Sequence, residues 1–317
     1  MDLKVVNRHN TVRWLPGENP RERFLAAKRT LVVGVRRTLK LAGCRPSADY
    51  QLPLSTSCPG LCTYCYLHTT LGKTPTLRLY VNLEEILQVA VKYLEQRLPQ
   101  QTTFEGSATS DPLALEHFSG ALAKTIIFFA SQENGWFRFV TKQTSITPLL
   151  TVKHNGKTRI RFSLNVPYVE QRFERGVPPV KERIEAALTL RQKGYPVGFL
   201  IAPIFVFPGW QDQYRGLLYT LHDRWKYHTA AGVPPVEGPD PSFELITHRF
   251  TTRAKKNITE LFPENALPLD EEERRFKFGQ FGYGKYIYEK PVFAEIKEGL
   301  APLINQLFEN GNLDYLV

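Results

Sequence analysis

Three cysteines fall within eight residues, Cys58-Pro-Gly-Leu-Cys62-Thr-Tyr-Cys65, directly after an extended apolar segment. They are three of only four cysteines in the chain. The loop that carries them must bring three thiols into one neighbourhood, which limits the folds available to it. Three thiolates can hold three corners of a [4Fe–4S] cube and leave the fourth iron open to a small molecule. Zinc would need a fourth protein ligand, which Cys44 or His68 would have to supply. Disulfides fit poorly, because an odd triplet does not pair internally and no secretory signal is visible. A lone histidine such as His68 is expected at the surface or at a cap rather than on a metal.

The chain has 317 residues, 42% of them hydrophobic and 12% aromatic, enough for a large core. Length suggests two domains, although barrels of this size are often one. No apolar run approaches the roughly 18 residues that cross a bilayer, so a soluble, cytoplasmic protein is expected. The formal charge is +10 and it is unevenly placed: residues 1–45 hold eleven Lys and Arg against three Asp and Glu. A basic arm of this kind is the footprint of a polyanion partner, most simply nucleic acid; the alternative is a solvated helix face. Arg249, Arg253, Lys255 and Lys256 form a second basic group where a helix is expected to start. Cations in a first turn oppose the helix dipole, so they are expected to serve an anion such as phosphate.

Short β-rich runs recur at 50–56, 102–108, 137–141, 158–164, 196–203 and 242–247. Helix-period segments over 83–98, 113–131, 179–194 and 210–227 separate them, a rhythm that means parallel βαβ units. Six units suit a partial (β/α)6 TIM barrel or a doubly wound sheet, and both place chemistry at the carboxyl ends of the strands. Cys58 to Cys65, Ser110, Lys142, Ser163 and Arg249 all follow strands in this way. The Pro/Gly-rich stretch 230–241 reads as a surface loop. Alternating glycines and aromatics over 276–288 signal a hairpin, and a final helix is expected over about 291–310. The division is a basic N-terminal arm (1–45), a barrel with the cysteine loop (46–265), and a hairpin with a helix (266–317).

The C-x₃-C-x₂-C spacing, with Tyr64 before the last cysteine, resembles the signature of radical S-adenosylmethionine (SAM) enzymes. Longer words resemble one family among them, spore photoproduct lyase: Pro46-Ser-Ala-Asp-Tyr, Tyr64-Cys-Tyr-Leu, Tyr80-Val-Asn-Leu, Arg138-Phe-Val-Thr-Lys, His154-Asn-Gly-Lys-Thr-Arg and Phe243-Glu-Leu-Ile-Thr-His-Arg-Phe. The resemblance runs from about residue 9 to the C-terminus. It implies a partial TIM barrel that repairs a methylene-bridged thymine dimer in ultraviolet-damaged double-stranded DNA. A 5′-deoxyadenosyl radical would abstract hydrogen from the lesion, the bridging C–C bond would fragment, and a thymine radical would take a hydrogen atom back. By the same resemblance Cys58, Cys62 and Cys65 ligate iron, and Tyr64, Ser110, Lys142, Ser163 and Ala202 contact SAM. Tyr66 belongs to the hydrogen-return route, and the hairpin residues Gln280, Phe281 and Tyr283 join the basic group at the DNA. An electron donor such as flavodoxin or ferredoxin and a monomeric state are also implied.

Two departures stand out. Where the family's pattern has a hydrogen-donating cysteine, this chain has Ala108, whose methyl supplies no weakly bonded hydrogen. Where the family has Gly-Arg-Tyr-Gly, it has Gly279-Gln280-Phe281-Gly282, which removes a cation and a phenol but keeps an aromatic face for bases. The leading expectation is therefore a repair lyase with an altered hydrogen-return step. The alternatives are a radical SAM enzyme for a different nucleobase lesion and a poorly catalytic damaged-DNA binder. Cys44 is the remaining thiol, either an inert small residue or a replacement donor.

Overall fold

The computed structural model describes residues 12, 14–227, 240–279, 282–309 and 311–317. The basic arm folds into α1 (Pro20–Lys28), β1 (Leu31–Gly34) and β2 (Gly43–Cys44), followed by β3 (Ala48–Leu52) and β4 (Ser55–Thr56). Asn19 caps α1 by accepting from the Glu22 amide at 3.0 Å, and Pro20 opens the helix, where its missing N–H costs nothing. Then come α2 (Leu67–Thr70), β5 (Leu77–Tyr80), α3 (Leu83–Glu95), β6 (Thr102–Gly106), α4 (Glu116–Ser119), α5 (Ala121–Ala130) and β7 (Gly135–Thr141). The second half comprises β8 (Thr158–Leu164), α6 (Pro167–Phe173), α7 (Val180–Gln192), β9 (Val197–Ile204), α8 (Trp210–Tyr227), β10 (Ser242–Thr247) and α9 (Thr252–Leu261). The hairpin is β11 (Arg275–Phe278) with β12 (Gly284–Ile287), and α10 (Lys290–Leu307) leads into β13 (Asn312–Leu316).

The main sheet runs β13-β10-β9-β8-β7-β6-β3-β2. Every pairing in it is parallel except β2 with β3. The two edge strands do not pair with each other, so the sheet is an open partial barrel, the one of the two architectures compatible with the βα rhythm that the family resemblance implies. One strand was not expected: β13 follows the last helix and pairs with β10, so the C-terminal segment contributes to the barrel sheet. A second sheet, β1-β5-β4, sits beside the cysteine loop.

Alternation along the strands divides the two faces. Phe104, Phe137, Phe139, Ile160, Phe162, Phe199, Phe243 and Leu245 are buried at 0–1% exposure in one continuous apolar core with the helices. The other face carries Glu105, Arg138, Arg161 and Glu244, a buried ionic layer rather than the branched aliphatics of a closed barrel. Arg161 on β8 pairs with Glu105 on β6 and, at 2.8 Å, with Glu244 on β10. Among the described residues no single helix is long and apolar enough to cross a membrane. One bent pair, Pro112–Ser119 with Ala121–Ala130, passes that test by composition, yet its Leu113, Leu122, Ile126 and Phe129 lie in the core.

Candidate active site

The cysteine loop leaves β4 through Ser57, whose φ of 70° turns the chain sharply and whose amide donates to the Thr109 carbonyl at 2.8 Å. That bond ties the loop to the carboxyl end of β6. Gly60 is required by space: a Cβ there would lie 2.8 Å from Val177 Cγ1 and 3.4 Å from Cys58 Sγ. Its amide points at the Cys58 sulfur, 3.3 Å away, and Lys28 Nζ from α1 donates to the Cys58 carbonyl at 2.7 Å. Further along, the Leu61 and Thr63 amides bond the carbonyls of Arg175 and Phe173. The loop is therefore held from three sides.

Cys58, Cys62 and Cys65 are all free thiols. Burial, tempered by Lys142, pushes Cys62 up to about 12, and burial raises Cys58 as well. Cys62 lies within electrostatic reach of both Cys58 and Cys65, and ionising the buried Cys58 and Cys62 thiols requires added positive charge, which iron would supply. Among the described residues no three His, Cys, Asp or Glu side chains converge as a single metal ion would need. A cubane does not ask for that convergence, because each thiolate binds its own iron, so this donor set fits a [4Fe–4S] cluster better than a mononuclear zinc site. His68 is not at the surface as expected. It is 4% exposed, stacked 5.6 Å from Phe24, and burial with Lys28 nearby lowers it to about 4.

The strand-end residues gather beside this loop. Asp111, buried after β6, accepts from the Thr141 hydroxyl and the Lys142 amide, each at 2.8 Å, and so fixes the end of β7. Lys142 Nζ then reaches Ser163 Oγ at 2.9 Å and lies 5.8 Å from the Tyr64 ring centre. Ser110 Oγ lies 2.6 Å from Ser55 Oγ, and Ala202 is half-buried on β9. One further residue carries no signature in the sequence. Glu174, immediately after α6, accepts from the Tyr64 hydroxyl, from Lys142 Nζ at 2.9 Å, and pairs with Arg183 at 2.6 Å. Its isolation in a charged loop segment, Gln171-Arg-Phe-Glu-Arg-Gly, gave no hint of burial.

Tyr66 is exposed, and its hydroxyl donates to the Ala108 carbonyl. Cys44, half-buried on β2, lies within electrostatic reach of that phenol and of Glu105. Cys44 thus sits on a paired strand of the barrel sheet, not on a loose arm.

The basic group divides. Thr251 caps α9 by accepting from Ala254, and Arg253 and Lys256 are exposed on it. Lys255 instead pairs with Glu271 at 3.3 Å. Arg249 is half-buried, and its Nη2 lies 3.5 Å from the Val317 carbonyl. Tyr283 is exposed at the hairpin, whereas Gln280 and Phe281 lie outside the described residues.

The sequence model of the spore photoproduct lyase family matches residues 1–317. The spore photoproduct lyase of Bacillus subtilis is 44% identical over 315 residues, covering 99% of this chain and 90% of the relative. That of Clostridium acetobutylicum is 45% identical over 303 residues, covering 96% and 87%. A solved spore photoproduct lyase double mutant with bound AdoMet and dinucleoside spore photoproduct superposes with a TM-score of 0.93 at 42% identity, over 98% of this chain and 89% of the other. A second structure, the lyase complexed with dinucleoside spore photoproduct, gives the same TM-score of 0.93 and 42% identity, over 98% and 89%. With the cysteine loop, the strand-end residues and the partial barrel all in one arrangement, the chain belongs to the spore photoproduct lyase family.

Proposed function

We propose that this chain is a radical SAM carbon–carbon lyase that restores two thymines from spore photoproduct in DNA, and that its returned hydrogen atom comes from Cys44. Cys58, Cys62 and Cys65 would hold a [4Fe–4S] cluster, and a small electron carrier such as flavodoxin or ferredoxin would supply its electron. Together with SAM, the cluster supplies a one-electron cleavage that yields the hydrogen-abstracting species. Lys142 and Ser163 offer donors to the SAM carboxylate, Tyr64 and Ala202 flank the nucleoside, and Ser110 offers a hydroxyl. Arg249, Arg253, Lys255, Lys256 and Tyr283 bind the DNA together with Gln280 and Phe281 of the same stretch of sequence, and the protein acts as a monomer.

The observation that carries the hydrogen-return reading is the grouping of Cys44, Tyr66 and Ala108. The Tyr66 hydroxyl donates to the Ala108 carbonyl, and the one thiol outside the cysteine loop, Cys44, lies within electrostatic influence of the same phenol. In the return step the Cys44 S–H bond breaks and a C–H bond forms on the methylene carbon released by fragmentation. The thiyl left behind takes the Tyr66 hydroxyl hydrogen, and the tyrosyl oxygen recovers a hydrogen atom from the 5′-deoxyadenosine formed by the abstraction, so the sequence closes with no external reductant. Reconstituted enzyme with SAM, dithionite and an oligonucleotide bearing one spore photoproduct tests this, by chromatography of the nucleosides. Wild type is expected to yield two thymines, whereas Cys44→Ala should consume lesion while accumulating thymine adducts. Clean repair by Cys44→Ala would remove Cys44 from the route.

A further inference from the structure

Glu174 is the most heavily engaged carboxylate near the cysteine loop, and nothing in the reaction as set out above uses it. Its side chain is wholly buried, and its neighbours Phe173 and Arg175 are hydrogen-bonded to the loop backbone at Thr63 and Leu61. It therefore moves with the segment that carries Cys62 and Tyr64. One oxygen takes the Tyr64 hydroxyl and Lys142 Nζ, and the other faces Arg183 Nη2. Arg183 is itself 0% exposed and anchored by donating to the Pro178 and Ser163 carbonyls at 2.7 and 3.1 Å. Four elements thus meet on one carboxylate.

The donor arithmetic leaves one opening. An ammonium has three N–H bonds, and Lys142 uses two of them, on Ser163 and Glu174. Its side chain keeps 15% exposure, so it is not sealed from solvent as Glu174 is. Two cations face a single carboxylate here, which leaves the group short of one anion. Asp111 does not make up the difference, because its oxygens are turned to the Lys142 backbone amide and the Thr141 hydroxyl. A ligand carboxylate at Lys142 would complete both the charge and the hydrogen bonding.

We infer that Glu174 is the positioning residue of the SAM site: it locks the Lys142 ammonium and the Tyr64 ring into one rigid receptor for a ligand carboxylate and the nucleoside beside it. It acts through those two residues and does not touch the reacting atoms. This rests on the SAM-dependent reading given above, and it concerns binding rather than turnover.

SAM binding to the reconstituted, unreduced enzyme, measured by calorimetry, tests it. Glu174→Gln should bind about tenfold or more weakly than wild type, whereas Glu174→Asp, which keeps the charge but shortens the reach, should recover part of that loss. The Asp variant also keeps the test open if the Gln variant does not fold. Lys142→Met should bind weakly, and adding Glu174→Gln to it should cost little more. Wild-type affinity in Glu174→Gln, or an undiminished second loss in the double variant, would overturn the inference alone. Failure of the wild type to bind SAM would overturn the reading beneath it as well.

Discussion

Arg138 on β7 and Asp314 on β13 lie 3.4 Å apart, although four strand steps separate them in the sheet. At the usual spacing of neighbouring strands those steps would span roughly 19 Å in a flat sheet. The sheet must therefore curl until its C-terminal edge faces its middle, and the ionic layer between Glu105, Arg138, Arg161, Glu244 and Asp314 lines the inside of that curve. The curl is also what turns the carboxyl ends of β6, β7 and β8 toward the cysteine loop.

Arg161 is the centre of this layer at 1% exposure, so Arg161→Met should leave Glu105 and Glu244 short of their counter-charge. A loss of about 3–5 kcal/mol is expected from breaking a buried network on one side. Urea unfolding, read as a lower midpoint with an unchanged slope, measures it. An unchanged midpoint would mean that Arg138 alone satisfies both carboxylates.

Lys28 gives the loop its support from α1, through its bond to the Cys58 carbonyl. Lys28→Met keeps the buried stem and removes the donor. About 1.5–3 kcal/mol of local support should go with it. Iron and sulfide per chain after anaerobic reconstitution should fall, and the broad cluster absorbance should bleach faster in air; equal retention by the variant would argue that Gly60 and Ser57 suffice to hold the loop.

Glu174 also predicts an acid limb of stability. Burial alone would raise its carboxyl, but Lys142 and Arg183 outweigh that and hold it at about 2, below the usual 4.5. A carboxyl lowered on folding stabilises the fold above its unfolded pKa, and that contribution is lost as pH falls from about 4.5 toward 2. The difference between wild type and Glu174→Gln should shrink across that window by on the order of 3 kcal/mol. Chemical unfolding at a series of pH values gives the curve, and parallel curves for the two proteins would refute the assignment.

Lys285 on β12 carries the opposite kind of shift. Burial, with Arg249 and Lys277 adding repulsion, lowers it to about 8. A DNA phosphate would relieve that repulsion, so binding should be favoured while Lys285 is protonated. Affinity for a duplex is then expected to fall as pH rises through about 8, and the salt dependence of binding to become shallower by about one phosphate contact. Fluorescence anisotropy at several salt concentrations can follow both. Lys285→Met should flatten the pH response, and a persistent response in that variant would point to another group.

The cysteine spacing and the βα rhythm are local properties, so the chain alone was enough to place the cysteine loop, the parallel strands and the long helices α3, α7, α8 and α10. The strand-end hydroxyls and Lys142 were legible for the same reason, since each follows a β-rich run directly. What depends on distant partners was not legible. The strand β13 is only five residues long, Asn312-Leu-Asp-Tyr-Leu, and it is pairing with β10 that makes it a strand. His68 looked like a surface residue until α1 and Phe262 closed over it. Arg249 reads as one of four similar cations, but it is half-buried and turned toward the Val317 carbonyl while Arg253 and Lys256 are exposed. Glu174 is the clearest case, because nothing in Arg172-Phe-Glu-Arg distinguishes a solvated carboxylate from one that binds a tyrosine, a lysine and an arginine at once. Sequence determines which groups a segment can offer, while the curl of the sheet decides which of them lose water, and loss of water is what gives a charge its partner and its role.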